Sequence, residues 1–153
     1  MMKSRNSITA PRLWMAMMRS HRAISLLAAQ NIAKAGLCLT DFAALEALLH
    51  RGPLTISEIQ NKVLLASGSM TAAIDRLEKL ELVTRKSSPS DRRARLVKLT
   101  PEGKRLAASC FKQHAEDLEE LMSVLSMRQK REVYDCLKKL GLLAARKLAE
   151  GKG

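Results

Sequence analysis

A chain of 153 residues that is 46% hydrophobic is long enough to bury one core and too apolar to be a disordered basic tail. Aromatic residues make up only 3%, which argues against a single-strand binder built on base-stacking platforms. The formal net charge of +12 is uneven: residues 1–40 carry Lys3, Arg5, Arg12, Arg19, Arg22 and Lys34 without one acid, and residues 85–98 hold six basic residues against the single acid Asp91. Such fields favour a polyanion, nucleic acid or an anionic membrane surface, although charge alone leaves a merely solvated basic face equally open.

Residues 1–10 are polar and unpatterned and are expected to fray. A long helical pattern follows from Pro11, suited to a first helical position, to Gly36, suited to a left-handed stop. Its stripe is Trp14, Met17, His21, Ile24, Leu27 and Ile32. Thr40 is expected to cap a second helix through Phe42, Leu45 and Leu48, which ends at Arg51-Gly52-Pro53. Thr55-Ile56-Ser57-Glu58 is a capping box that opens a short helix.

Ser67 is then expected to cap a helix over about 67–80 whose inward face is Met70, Ile74, Leu77 and Leu80. Two short helices, the second amphipathic, make a helix-turn-helix pattern. A hairpin over about 82–99 comes next, with a turn-rich Ser87-Ser88-Pro89-Ser90-Asp91 and a second strand in which Val97 and Leu99 share a face. Its tip is loaded with arginine. Thr100-Pro101 starts a further helix with Leu106, Cys110, His114, Leu118 and Met122 at helical spacing. Ser126-Met127-Arg128-Gln129 is a second capping box, and the last helix carries the stripe Val133, Leu137, Leu140 and Ala144. The fold class expected is mainly α with a small β-hairpin wing, in one domain over 11–150.

Chemistry of other kinds is not legible. Cys38, Cys110 and Cys136 are far apart and contain no C-x-x-C pair, so neither a zinc ribbon nor a disulfide framework is indicated. His21, His50 and His114 lack metal-ligand spacing, and no cofactor is implied. An enzyme would need a nucleophile–base pair, a metal cluster or a glycine-rich phosphate loop; Ser67-Gly68-Ser69 follows no strand, so no catalytic residue is assigned. The apolar run 13–18 is too short for a signal peptide and is interrupted by Arg19, His21 and Arg22. No segment approaches a membrane span, and the expected location is cytoplasmic.

Four motifs carry a resemblance: Gly52-Pro53-Leu54-Thr55, the run SGSMTAAIDRLE from Ser67 to Glu78, Pro89-x-Asp91-Arg92-Arg93, and Val97-Lys98-Leu99-Thr100-x-x-Gly103. In order and spacing the chain resembles the multiple-antibiotic-resistance-regulator (MarR) family of winged-helix repressors over roughly residues 12–148. The resemblance implies that 40–99 is the winged helix-turn-helix and that 11–36 and 101–149 interleave as dimerisation helices. It further implies a homodimer on a pseudo-palindromic double-stranded operator, released by a small anionic or phenolic effector. One departure stands out: Glu81 occupies a position where the family usually has glycine.

On the helix over 67–80, Ser67, Ser69, Thr71, Ala72 and Arg76 are the expected DNA contacts, Arg76 as a guanine reader unless an internal ion pair to Asp75 or a wing carboxylate holds it. On the wing, Arg92 and Arg93 are assigned to phosphate or the minor groove by the resemblance, and Asp91 to holding the wing's shape. Arg85, Lys86, Arg95 and Lys98 are expected to supply field more than specific contacts. The effector pocket implied by the family is assigned to Trp14, Met17, Met18, His21, Phe42, Phe111 and His114, although ordinary core packing is the stronger explanation for each. A backbone carbonyl would satisfy a buried His114 as well as a ligand would. Cys38, near a helix N-terminus, is the candidate for thiol-based redox control, one alternative reading. The other, a winged helix that binds only protein, is disfavoured by the basic wing and hydroxyl-rich helix face.

Overall fold

A computed structural model describes residues 8–63, 69–87 and 95–151. Ser67, Asp91, Arg92 and Arg93 lie outside those residues. In chain order the elements are α1 (Ala10–Ala33), α2 (Leu39–Arg51), β1 (Leu54–Thr55), α3 (Ile56–Lys62), α4 (Met70–Lys79), β2 (Val83–Ser87), β3 (Arg95–Leu99), α5 (Pro101–Leu121), a 3-10 turn (Met122–Val124) and α6 (Met127–Glu150). Contacts divide the chain into two compact units, Met1–His114 and Ala115–Gly153.

In the first unit α2, α3 and α4 pack on an antiparallel sheet of order β1-β3-β2. The core joins Phe42, Leu45 and Leu48 of α2, Ile59 of α3, Met70, Ala73, Ile74 and Leu77 of α4, Val83 of β2, Val97 of β3 and Ala107 of α5. The expected inward face of α4 is found except at Leu80, which caps the helix and is 57% exposed. The hairpin gains a third strand, β1, whose two residues pair Leu54 with Val97 and Thr55 with Leu96. So short a strand carries no period of its own.

Three helix starts differ from expectation. The first helix begins at Ala10, and the chain leaves it after Ala33, with Gly36 taking the left-handed φ of 74°. Cys38, not Thr40, occupies the N-cap of α2, because the Asp41 carboxylate reaches back to accept from the Cys38 backbone N–H (3.4 Å). That bond satisfies an end donor without a hydroxyl cap, and Thr40 is buried inside the helix. Ser69, not Ser67, caps α4, its Oγ accepting from Ala72 N at 3.3 Å. The capping boxes at Thr55–Glu58 and Ser126–Gln129 form as expected.

Glu81 takes the left-handed conformation itself, with φ 57°. Leu82 N donates to Leu77 O and Glu81 N to Glu78 O, both at 2.9 Å, a Schellman ending in which buried Leu82 and Leu77 supply the apolar contact. Thr100 locks the start of α5 onto this turn: its Oγ1 donates to Glu81 O (2.7 Å), its N donates to Leu82 O (3.0 Å), and its Oγ1 accepts from Gly103 N (2.9 Å). A Cβ at position 103 would fall 1.9 Å from Leu82 O, so the helix approaches this closely only with glycine.

In the second unit, Ser126 Oγ accepts from Gln129 N and Gln129 Oε1 accepts from Ser126 N, which starts α6. Lys130 pairs with Glu119 at 2.7 Å. No residue of α6 is buried. Val133, Leu137 and Leu140 are each 46% exposed, spaced to lie on one stripe.

Candidate nucleic-acid interface

The solvent arc of α4 follows from its buried arc. With Met70, Ala73, Ile74 and Leu77 inward, the remaining positions are Thr71, Ala72, Asp75, Arg76, Glu78 and Lys79. Near the N-terminus this face offers Ser69, Thr71 and Ala72, which are exposed and small. Short hydroxyl side chains and free backbone N–H groups at a helix start accommodate phosphates and base edges without steric conflict.

Both margins of that arc are tied down by ion pairs. On one side Arg76 reaches α2, its Nη2 2.6 Å from Asp41 Oδ1 and its Nε 3.4 Å from Asp41 Oδ2. The Arg76 guanidinium is held above its usual basicity chiefly by the hydrogen bond to Asp41. The same Nη2 donates to Cys38 Sγ at 3.4 Å. The internal ion pair expected as the alternative for Arg76 therefore exists, but with Asp41 rather than Asp75. Asp41, nearly buried, both caps α2 and holds Arg76. It was not singled out from sequence; a carboxylate three residues after the true N-cap was the available signal, hidden by placing the helix start at Thr40.

On the other side Arg85 of β2 donates Nη2 to Asp75 at 2.5 Å and Nη1 to Glu78, while Glu78 Oε1 accepts from Arg85 N at 3.2 Å. The Asp75 bond is the main cause of a raised Arg85 basicity. Only 17% of its side chain is exposed. Arg85 thus fastens wing to helix instead of adding to an outward field. Period two foretells this, since Val83 and Arg85 share a strand face and Val83 is fully buried. Lys86, Arg95 and Lys98 are exposed, as a wing field requires.

The seven residues assigned to an effector pocket are only partly gathered. Phe42 is buried with His114 edge-on to it, ring centroids 5.3 Å apart, and Phe111 lies edge-on to His50 at 4.6 Å. His114 Nδ1 is buried and has no hydrogen-bond partner among the described residues. The backbone carbonyl invoked for it is therefore not what satisfies this atom. Trp14 and Met18 are exposed on α1, Met17 is half-buried there, and His21 Nε2 lies 3.5 Å from Ser25 Oγ. His50, weighed from sequence only as a metal ligand, stands in the last turn of α2. Cys38 is exposed, whereas burial pushes the Cys110 thiol pKa up. Among the described residues no group of three or more His, Cys, Asp or Glu is placed to hold a metal ion. No helix there is long and apolar enough to cross a membrane.

A capped amphipathic helix seated on a second helix, with a basic antiparallel hairpin fastened to its flank, defines a winged helix-turn-helix protein. The family model described as MarR family matches residues 37–94. The HTH-type transcriptional regulator MhqR of Bacillus subtilis is 40% identical over 133 residues, covering 87% of this chain and 92% of that protein. Wild-type E. coli MarR in its apo form superposes with a TM-score of 0.71 at 24% identity, over 88% of this chain and 98% of that one. A mutant of E. coli MarR complexed with operator DNA gives 0.73 at 24%, over 84% and 92%. The chain belongs to the MarR family and is a DNA-binding transcriptional regulator.

Proposed function

We propose that this regulator is a homodimeric repressor that grips a pseudo-palindromic operator and lets go when a small anionic or phenolic compound binds. The observation that carries the DNA part is the exposed Ser69-Thr71-Ala72 edge of α4, held rigid by Asp41 on one margin and Arg85 on the other. Preorganisation of this kind lowers the ordering cost of binding. Arg92 and Arg93, carried over from the family pattern, extend the contact to phosphate or the minor groove beside it, with Asp91 shaping the wing.

Dimerisation is supported by the uncovered stripe of α6. A helix of this length with no buried residue has little tertiary support, and an apolar stripe at 133, 137 and 140 needs a second surface. A second copy supplies it with two-fold symmetry, matching two half-sites on DNA. The effector part is supported by the edge-on Phe42–His114 and Phe111–His50 pairs and by a buried His114 Nδ1 that has no hydrogen-bond partner among the described residues. An aromatic acid or phenol offers a donor or charge for that nitrogen and a ring for the aromatic side chains.

Fluorescence anisotropy with the duplex upstream of the chain's own gene tests the proposal. Tight binding to that duplex over a shuffled one, with release by one member of a panel of phenols and aromatic carboxylates, is the expected result. Equal weak binding to both duplexes would sink it.

A second reading, thiol control, has one observation in its favour: exposed Cys38 shares the Arg76 guanidinium with Asp41. Under it, an oxidant or an electrophile would release DNA from the wild type but not from Cys38→Ser. Release of both proteins alike would remove it.

A further inference from the structure

Arg76 is the residue a sequence reading would give to guanine, yet three of its five N–H donors are already committed. A guanidinium has five N–H groups on three nitrogens. Asp41 accepts from Nε and Nη2, and Cys38 Sγ accepts from Nη2. What remains unengaged among the described residues is Nη1 alone. Bidentate recognition of guanine O6 and N7 needs two nitrogens presented together. A phosphate oxygen is satisfied by one.

Freeing the fork would leave the Asp41 carboxylate, whose side chain is only 7% exposed, with the Cys38 backbone N–H but no counter-charge. An unpaired buried carboxylate is strongly unfavourable, so the pair resists opening. Position along the helix points the same way. Recognition helices read base edges from their N-terminal residues, here Ser69, Thr71 and Ala72, whereas Arg76 stands in the last turn of α4.

We infer that Asp41 is a positioning residue: it holds Arg76 as a single-nitrogen contact to a backbone phosphate, so Arg76 sets the register of α4 on DNA and does not read guanine. The inference rests on the proposed docking of the α4 face, and it assigns a function to an α2 side chain that need not touch DNA itself.

The test uses a duplex that the wild-type protein selects from a randomised double-stranded pool, together with a shuffled duplex of the same composition. Wild type, Arg76→Gln, Asp41→Asn, Asp41→Glu and the double Asp41→Asn/Arg76→Gln protein are titrated against both over a range of salt concentrations. Arg76→Gln should weaken both duplexes by a similar factor, about tenfold, lower the salt slope by about one, and leave their ratio within about twofold. Asp41→Asn should move affinity and slope the same way. Asp41→Glu should restore them, and the double variant should bind no more weakly than Arg76→Gln.

The inference is overturned if Arg76→Gln collapses the ratio between the selected and shuffled duplexes with the slope unchanged, which marks a base reader. It is equally overturned if Asp41→Asn, folded by circular dichroism, binds as wild type while Arg76→Gln does not. Should Asp41→Asn fail to fold, Arg76→Gln and Asp41→Glu still decide the matter. Wild type that selects no duplex would instead remove the DNA reading, and this inference with it.

Discussion

Arg85 of β2 and Asp75 of α4 lie 2.5 Å apart, and the same guanidinium also bonds Glu78 one turn further along. Ten residues of sequence separate the partners, and between them the chain ends a helix, turns through Glu81 and enters a strand. The pair closes that loop. It also neutralises two carboxylates on the helix face proposed to meet polyanionic DNA, so one arginine serves geometry and field together.

Arg85→Ala removes the fastening and leaves Asp75 and Glu78 facing each other and the DNA. The expected cost is about 1–2 kcal/mol of stability, between an exposed and a buried pair, and roughly tenfold in DNA affinity. Urea denaturation with a double-mutant cycle against Glu78→Gln separates the pair from the single losses. An unchanged midpoint and unchanged affinity would show that the contact holds nothing.

Glu81→Gly relieves a left-handed conformation that a side chain disfavours by about 1–2 kcal/mol, partly offset by the freedom glycine gains when unfolded. A net stabilisation of about 1 kcal/mol is expected in thermal or urea melts. Destabilisation would mean that the Glu81 side chain contributes something beyond its backbone geometry.

The Thr55–Glu58 capping box predicts a pH dependence. Hydrogen bonds from the Thr55 backbone and hydroxyl, in that order, pull the Glu58 pKa below its ordinary value of 4.5. A depressed folded-state value means the contribution is fully present above about pH 4.5 and is lost as pH falls through the lower folded value. Glu58→Gln should therefore lower stability above about pH 4.5 and flatten the acid limb, the variant and wild-type curves converging at low pH. An acid limb identical to wild type would contradict the assignment.

Leu137→Glu places a charge in the middle of the α6 stripe. Sedimentation velocity should shift from a two-chain to a one-chain mass while far-UV circular dichroism stays largely helical. Operator affinity should fall by about a hundredfold or more, because each half-site then binds alone. A variant that stays two-chain would move the interface elsewhere.

Much of this was legible beforehand, for identifiable reasons. Capping boxes at Thr55 and Ser126 announce themselves by residue type, and the apolar period of Met70, Ile74 and Leu77 placed the buried side of α4 correctly. The glycine usual in the family made the Glu81 position conspicuous, and it is there that the chain takes a positive φ without glycine. What sequence hid was long-range. The Asp41–Arg76 pair spans 35 residues, and no local rule joins an N3 carboxylate to an arginine on another helix. Arg85 looked like one more wing cation until the buried Val83 beside it fixed which way it points. Cys38 was read as lying before its helix because a thiol is an unusual cap, although Asp41 does the work a hydroxyl would otherwise do.

The most direct test of the account is selection of duplexes from a randomised double-stranded pool by the wild-type protein, followed by sequencing. Two inverted half-sites about 10–10.5 base pairs apart, centre to centre, are predicted, as a two-fold pair of recognition helices requires. Enrichment of a single unpaired half-site, or no enrichment over the starting pool, would contradict a dimeric operator-binding regulator.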